Sequence, residues 1–335
     1  MMRGPQNAMG GKSLVTIGLP VRNEQNCIRR AVDSLLAQDY QNIELIISDN
    51  ASTDRTTDIC REYARQDTRV RYYRSNTNAG ANSNFRRVLE LARGEYFMWA
   101  GANDYWMPRF VGAMIGALEP NPDASVAMCA VKRVREDGTT VDVVRHVASD
   151  DPNQMRSFNL AMALAAGKPY HLYVYGMYRT DLLRKAFDGF PSVMAGDRLF
   201  VCRVALATKL RYVDEILHVR LASSTPRGER YKDEELGRIW RDPWGPERTV
   251  LAAGPYLWRS TVVPSHRKLW IPLVVLRFAA RDFAVRWWYL LPIRSLYVIA
   301  VSLVGSQRRK VVQRFVRRIA TGTSNRSHDD PDSPA

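Results

Sequence analysis

Asp49 and Asn50 close the largely apolar run IELIIS, and Asn103 and Asp104 close another inside GEYFMWAGANDYWMP, residues 94–108. An ionised carboxylate only accepts hydrogen bonds, whereas a carboxamide both donates and accepts. A carboxylate that accepts an imide N–H separates uracil or thymine from cytosine, which suits a nucleoside diphosphate ligand. Neighbouring exits are polar as well. LVTIGLPV is followed by Arg22, Asn23 and Glu24; Asp49 and Asn50 by Ser52, Thr53 and Asp54; VRYYRS by Asn76, Asn78, Ala79 and Gly80. Each group has an ordinary explanation: Asn23 and Asp54 suit helix caps, and Asn78-Ala79-Gly80 suits a turn. Caps and turns do not require polar or acidic groups on every loop of one edge, so the joint pattern points to a ligand rim.

The elements that must position these groups follow from periodicity. Residues 14–21, 43–50, 70–75 and 95–101 read as strands, the first as a near-continuous apolar run expected of a strand covered on both faces. Residues 27–38, 53–66, 82–93 and 108–119 read as helices, with Gly94 stopping the third and Pro108 opening the fourth. This alternation predicts a parallel sheet with helices on both faces, whose ligands bind at the carboxyl ends of the strands. Beyond it, residues 125–144 read as a hairpin about Asp137-Gly138, 171–178 as a strand, 197–207 as a helix and 210–221 as a strand, with a less regular stretch between the hairpin and 171.

Several function classes fall away. After the first strand stands GLPVRNE, not the GxGxxG of a dinucleotide site. GGKS precedes a strand, where a phosphate-binding loop must follow one. The four cysteines, Cys27, Cys60, Cys129 and Cys202, form no CxxC pair and read as reduced thiols of an intracellular protein. The net charge of +15 resembles a nucleic-acid signature until it is located. Residues 254–320 hold 13 Lys and Arg against a single acid, Asp282, so the basic character is local. No DNA- or RNA-binding module is visible, and no nucleic-acid partner is expected.

TIGLPVRNEQNCIRRAVDSLLAQ, IELIISDNASTDRT, NTNAGANSNF and GEYFMWAGANDYW resemble the successive motifs of the family 2 glycosyltransferases. The resemblance covers about residues 13–222, most strongly 14–110. It implies the GT-A fold: α/β, with a mostly parallel, Rossmann-like sheet flanked by helices. It implies an inverting transfer from a nucleotide-sugar donor to a hydroxyl acceptor. Asp49 would bind the nucleobase, and Pro20, Arg22, Asn23 and Glu24 would line base and ribose. Asn50, Asn78, Gly80 and Asn103 complete the expected nucleotide-sugar-binding set. The motif closing the fourth strand would hold Mg²⁺ or Mn²⁺ on the donor diphosphate, with Asp104 as the metal ligand.

The chain departs from that pattern twice. Asn103 stands where an Asp is common, with Ala102 before it, so Asp104 is the one carboxylate of GAND; such ions are held by one or two carboxylates plus phosphate and water, so one can suffice. Arg22 stands where a Tyr is usual, and its guanidinium can stack on a base or pair with phosphate. The resemblance makes Asp197, in MAGDRLFVCRVAL, the carboxylate that removes the acceptor's proton. Asp is also an ideal helix N-cap, so that reading stands beside it.

Residues 254–320 mix apolar runs with regular arginines, and their longest uncharged stretch, 295–307, is 13 residues, short of the ~20 needed to cross a bilayer. Amphipathic helices on an anionic membrane surface are expected, with Trp258, Trp270, Trp287 and Trp288 at headgroup depth. A packed helical subdomain with a solvated basic face is the alternative. Over 308–319, Val311, Val312, Phe315, Val316 and Ile319 face away from Arg308, Arg309, Arg314, Arg317 and Arg318. The expected organisation is a flexible N-terminus (1–12), a GT-A domain (13–225, with a nucleotide-sugar half to 119 and an acceptor and base half from 120), a mobile linker (226–253), the basic aromatic region (254–320) and a disordered tail (321–335). The acceptor is expected to be lipid-linked or a glycan, and the protein cytoplasmic and peripheral on the inner face of the cell membrane. A nucleotidylyltransferase and an inactive nucleotide-sugar-binding module are the competing readings.

Overall fold

β1 (Val15–Val21) and β2 (Ile43–Asp49) are apolar on both faces because both faces are covered. In the computed structural model only Pro20 of these two strands is not buried. The structure describes residues 12–145, 153, 156–166, 171–193, 195–222 and 245–290. Strand alternation sends neighbouring side chains to opposite layers. Leu45 and Ile47 join Val32 and Leu35 of α1 (Ile28–Leu36) and Phe110 of α4 (Phe110–Leu118), while Ile46 joins Val88 and Leu89 of α3 (Ala81–Glu90) in the other core. α2 (Thr56–Gln66) adds Ile59, Cys60 and Tyr63 to the first layer.

The sheet has nine strands, in the order β3-β2-β1-β4-β8-β6-β9-β5, with β7 on β6. β3 (Val70–Arg74), β2, β1 and β4 (Tyr96–Trp99) are parallel neighbours. β8 (Met177–Arg179) runs antiparallel to both β4 and β6 (Ala124–Val134), and β9 (Lys209–Leu221) runs parallel to β6. β1, β2, β3, β4, β6 and β9 therefore point the same way, and their carboxyl ends share one edge. The hairpin is present as β6 and β7 (Thr140–Val144).

Three departures matter. β5 (Asp104–Trp106) pairs antiparallel with β9, giving the candidate metal motif a strand partner that was not anticipated. The stretch 171–178 is not one strand: α6 (His171–Val174) comes first, and Gly176 then passes so close to Ala127 that a Cβ there would lie 2.8 Å from its carbonyl oxygen. That approach breaks the run before β8. The irregular region also holds α5 (Ser157–Ala165), and α7 (Thr180–Phe187) follows β8.

Helix α8 (Gly196–Ala207) is buried almost throughout because further helices cover it. These are α9 (Gly245–Trp258), α10 (Ser265–Lys268) and α11 (Ile271–Leu290); α9 takes in residues 245–253, expected as linker. Leu257, Ile271, Val274 and Phe278 join Leu199 and Phe200 in one core. Buried Arg203 stacks over Tyr256 at 3.4 Å and donates to the carbonyls of Ala186, Asp188 and Tyr256. Buried Arg198 lies 3.6 Å from the centre of the Phe278 ring. Of the two compact units, Met1–Arg281 contains all of these contacts, so one side of residues 245–281 packs on α8; the face read over 308–319 lies outside the described residues.

Candidate nucleotide-sugar site

The loops after β1 and β2 are bonded into one another. Asn23 N–H donates to Ser52 Oγ (3.0 Å), Thr53 N–H to Asn23 Oδ1 (2.8 Å), Glu24 N–H to Thr56 Oγ1 (2.8 Å) and Gln25 N–H to Asp54 Oδ2 (3.2 Å). Both loops contain a non-glycine residue in the left-handed region, Asn23 at φ 54° and Ala51 at φ 58°. Such strain persists only where surrounding bonds over-determine the backbone, and it gathers at functional sites.

Asn50 ties in the third loop. Its Nδ2 donates to Asn78 Oδ1 (2.7 Å) and the Gly80 carbonyl (3.2 Å), and its Oδ1 accepts from Ala79 N–H (2.9 Å). Gly80 adopts φ 85°, which favours glycine, and starts α3. An Nη of Arg22 reaches the Asn50 carbonyl at 3.4 Å. Half-buried Pro20 lies beside Ser48 across the ladder. The structure thus gathers Pro20, Arg22, Asn23, Glu24, Asp49, Asn50, Asn78 and Gly80 at one edge.

Asp49 is wholly buried. Its Oδ1 accepts from Ser52 N–H (2.8 Å), its Oδ2 from Thr57 Oγ1 (2.7 Å) and Tyr72 OH (2.8 Å), with Arg74 Nε at 3.6 Å. Burial pushes the carboxyl up, but the bonds from Ser52, Thr57 and Tyr72 outweigh it and hold its pKa below the ordinary value. The expectation that Asp49 itself accepts a base N–H meets a sealed side chain whose oxygens both have protein donors. These bonds make Asp49 an anchor of the loop.

Asp104 is buried too, but differently. Its Oδ2 faces His218 Nε2 at 3.1 Å and Arg220 Nε at 3.6 Å, while Oδ1 is buried without a hydrogen-bond partner. With Asp104 ionised, His218 Nε2–H is the donor. The register sets Asp104 opposite Arg220, and Trp106 stacks on His218 at 5.1 Å and 7°. Half-buried Asn103 occupies the turn between β4 and β5.

Asp197 lies in the first turn of α8, half-buried, with Oδ1 accepting from Arg198 N–H (2.9 Å). The N-cap position belongs to Ala195, left-handed at φ 57°, so Asp197 is not itself the N-cap residue, although its Oδ1 serves a first-turn N–H. Asn82 Nδ2 donates to Ser192 Oγ (3.0 Å), joining the start of α3 to the loop that leads into α8.

A model described as glycosyl transferase family 2 matches residues 16–187, just over half of the chain. The chain belongs to glycosyltransferase family 2. An uncharacterised protein of Mycobacterium tuberculosis, Rv1520, is 38% identical over 119 residues, 35% of this chain and 34% of its own length. Glycosyltransferase GlyA of Streptococcus pneumoniae is 24% identical over 244 residues, 69% of this chain and 32% of its own. The matched stretches thus span about a third of the length of these curated relatives. Among solved structures, Staphylococcus aureus TarS 1–349 in complex with UDP-GlcNAc superposes with a TM-score of 0.60 at 17% identity, covering 88% of this chain and 77% of that one. At that identity the likeness is one of fold, and the fold is GT-A.

The Mg²⁺ or Mn²⁺ expected of a family 2 member has a poor donor set here. Asp104 is the single carboxylate of the motif, and its charge already faces a guanidinium and an imidazole. Ala102 supplies no ligand and Asn103 only a neutral oxygen. Among the described residues no group of three His, Cys, Asp or Glu could hold a metal ion. A lone carboxylate can hold Mg²⁺ with phosphate help, but one paired to a fixed cation repels a second. The imidazole of His218 is the other metal-competent donor beside Asp104, but the Arg220 guanidinium lies on the same oxygen, so the set suits a divalent ion less well than the role expected of Asp104 requires.

Sequence reading missed His218 and Arg220, which stand 114 and 116 positions beyond Asp104. Their signal was available: in LHVRL two basic residues two apart share one face of a strand that is otherwise apolar.

Proposed function

We propose that this protein is an inverting glycosyltransferase that moves a sugar from a nucleotide-diphosphate donor, a UDP-sugar, to a hydroxyl of a membrane-associated acceptor in glycolipid or cell-surface polysaccharide synthesis. The observation that carries this reading is the Asn82–Ser192 bond, which ties the start of α3, beside the third strand-end loop, to the segment that leads into α8 and supports Asp197 as the base. Family membership and the fold shared with TarS, which binds UDP-GlcNAc, support the donor class. In the reaction Asp197 takes the acceptor's hydroxyl proton as that oxygen bonds to the anomeric carbon. The bond from that carbon to the diphosphate breaks, and the nucleoside diphosphate leaves with the electron pair.

The acceptor's setting is supported by the C-terminal helices. Leu251, Trp258, Leu269, Leu273 and Leu276 are exposed, at 49 to 75%. Arg259 and Arg277 are exposed among them, and a largely apolar groove of about 710 Å³ opens between α9 and α11. Exposed apolar area with a basic rim suits an anionic lipid surface. Among the described residues no helix is long and apolar enough to cross a membrane.

Purified full-length protein incubated with a panel of nucleotide sugars and a lipid-linked acceptor tests the reading. Transfer with release of nucleoside diphosphate supports it; pyrophosphate release indicates a nucleotidylyltransferase, and binding without turnover an inactive module. Asp197→Asn keeps size and helix-start bonding but removes basicity, so turnover should fall by about 10²-fold or more with donor binding retained. Unchanged turnover rejects Asp197 as the base. Sedimentation with phosphatidylglycerol-containing vesicles, compared with neutral ones, tests the membrane face.

A further inference from the structure

We propose that the donor's diphosphate is held by the Arg220 guanidinium in place of a divalent metal, and that Asp104, braced by His218, is the anchor that positions it. This rests on the nucleotide-sugar reading of the same edge.

The placement follows from strand direction. β9 runs parallel to β1 and β4, so His218 and Arg220, near its carboxyl end, arrive at the rim where ligands bind in parallel α/β sheets. Ala100, which opens the loop to Asp104, donates its N–H to the Gly18 carbonyl (2.8 Å), keeping that loop beside the end of β1. On its other side β5 meets α1, the helix that follows the Arg22 loop, through the bond from Trp106 N–H to Ser34 Oγ (3.2 Å).

Arg220 is fixed at one end and open at the other. Its Nε lies 3.6 Å from Asp104 Oδ2, and its guanidinium carbon lies 5.1 Å from the centre of the Tyr175 ring. Among the described residues its two Nη groups have no hydrogen-bond partner, and the side chain is 23% exposed. A guanidinium is charged at every working pH and presents a planar fork that matches phosphate oxygens. His218, 2% exposed, stacks on Trp106 and faces the carboxylate through Nε2, which keeps Asp104 from turning away. A positive group already in place as the diphosphate leaves does the electrostatic part of what a metal would do there. The unpartnered Asp104 Oδ1 remains for a donor group of the ligand, such as a hydroxyl.

The test is calorimetric titration of full-length protein, stripped of metal with EDTA and desalted, with UDP and with GDP, each with and without added MnCl₂. The proposal expects a nucleoside diphosphate to bind the stripped protein, with an affinity that Mn²⁺ changes by less than about threefold. Arg220→Ala should weaken it by about tenfold or more, the scale of a charge-assisted hydrogen bond. Arg220→Lys should recover part of that loss, and thermal unfolding checks that each variant is folded. If Mn²⁺ tightens wild-type binding tenfold or more, or folded Arg220→Ala binds as wild type does, the proposal is overturned. Binding of neither nucleotide under any condition sinks the nucleotide-sugar reading along with it. The wild-type arm with and without Mn²⁺ decides the matter even if both variants fail to fold.

Discussion

Asp49 and Asp104 are both buried aspartates at the edge where the parallel strands end, each with an arginine Nε at 3.6 Å, yet their oxygens are partnered differently. Asp49 has three neutral hydrogen-bond donors distributed over both oxygens, with Arg74 Nε 3.6 Å from one of them. Asp104 has two basic partners on one oxygen and none on the other. A buried polar atom left unpaired costs free energy, so native proteins rarely keep one without a use. The Asp49 region is complete as it stands and supports a strained loop. The Asp104 region is incomplete and is the place to expect a ligand. Burial of a carboxylate at a strand end therefore does not identify its task; its partners do.

The sharpest way to break this contrast is to truncate the anchor. Asp49→Ala leaves Ser52 N–H and the Thr57 and Tyr72 hydroxyls without their acceptor inside the fold, and should cost about 3–5 kcal/mol in urea unfolding. A cost below ~1 kcal/mol would show the loop does not depend on it. The pH dependence sharpens the same point. Because the folded pKa of Asp49 lies below its ordinary 3.8, its stabilisation is present above that ordinary value and is lost as pH falls through the folded pKa. In acid titrations of stability, wild type should therefore lose stability more steeply than Asp49→Asn below pH 3.8; parallel curves would contradict the shift.

That contrast also explains what could be read from residues alone. β1 to α4, apart from β5, were legible because each element carries its own period and each loop its own turn residues: the buried Ile28, Ala31, Val32 and Leu35 of α1 trace one helical face. The loop residues Asn23, Asn50, Asn78 and Gly80 were legible as a rim for the same reason. The environment of Asp104 was not, since it depends on pairing with a strand more than a hundred positions away. Asp49 was legible as a site residue but not as a sealed one, because Thr57 and Tyr72 come from the next helix and the next strand. The helices after 245 looked separable for a similar reason. Their arginine-rich composition reads as surface, yet the rings of Tyr256 and Phe278 cover Arg203 and Arg198 of α8.

A smaller effect is expected at Asp104. Asp104→Asn retains an oxygen for His218 Nε2–H, so stability should fall by only ~1–2 kcal/mol, less than for the anchor of the other region. The discriminating quantity is stabilisation by UDP. At a concentration of 100 Kd, a ligand that binds only the folded state adds about 2.7 kcal/mol. If Arg220 holds the diphosphate, most of that increment survives in Asp104→Asn. If Asp104 holds a metal on it, the increment disappears and adding MnCl₂ does not restore it.

The smallest effects belong to the strained residues, and they separate a loop that is merely held from one that aims a side chain. Ala51 and Ala195 have nearly the same left-handed backbone, φ 58° and 57°. A left-handed L-residue costs ~1–2 kcal/mol, and glycine removes that cost while adding ~0.4–1 kcal/mol of unfolded-state entropy. Ala51→Gly and Ala195→Gly should therefore each shift stability by less than ~1 kcal/mol. Their effects on turnover should differ. Ala51 lies in a loop cross-bonded to its neighbour at several points, so glycine there has little room to move and kcat should be unchanged. Ala195 immediately precedes the turn that carries Asp197, and a freer backbone there spreads the directions in which the proposed base points. A few-fold loss of kcat at unchanged KM in Ala195→Gly alone would place the strain in the aiming of Asp197. An equal loss in both variants would place it in the stiffness of the rim as a whole.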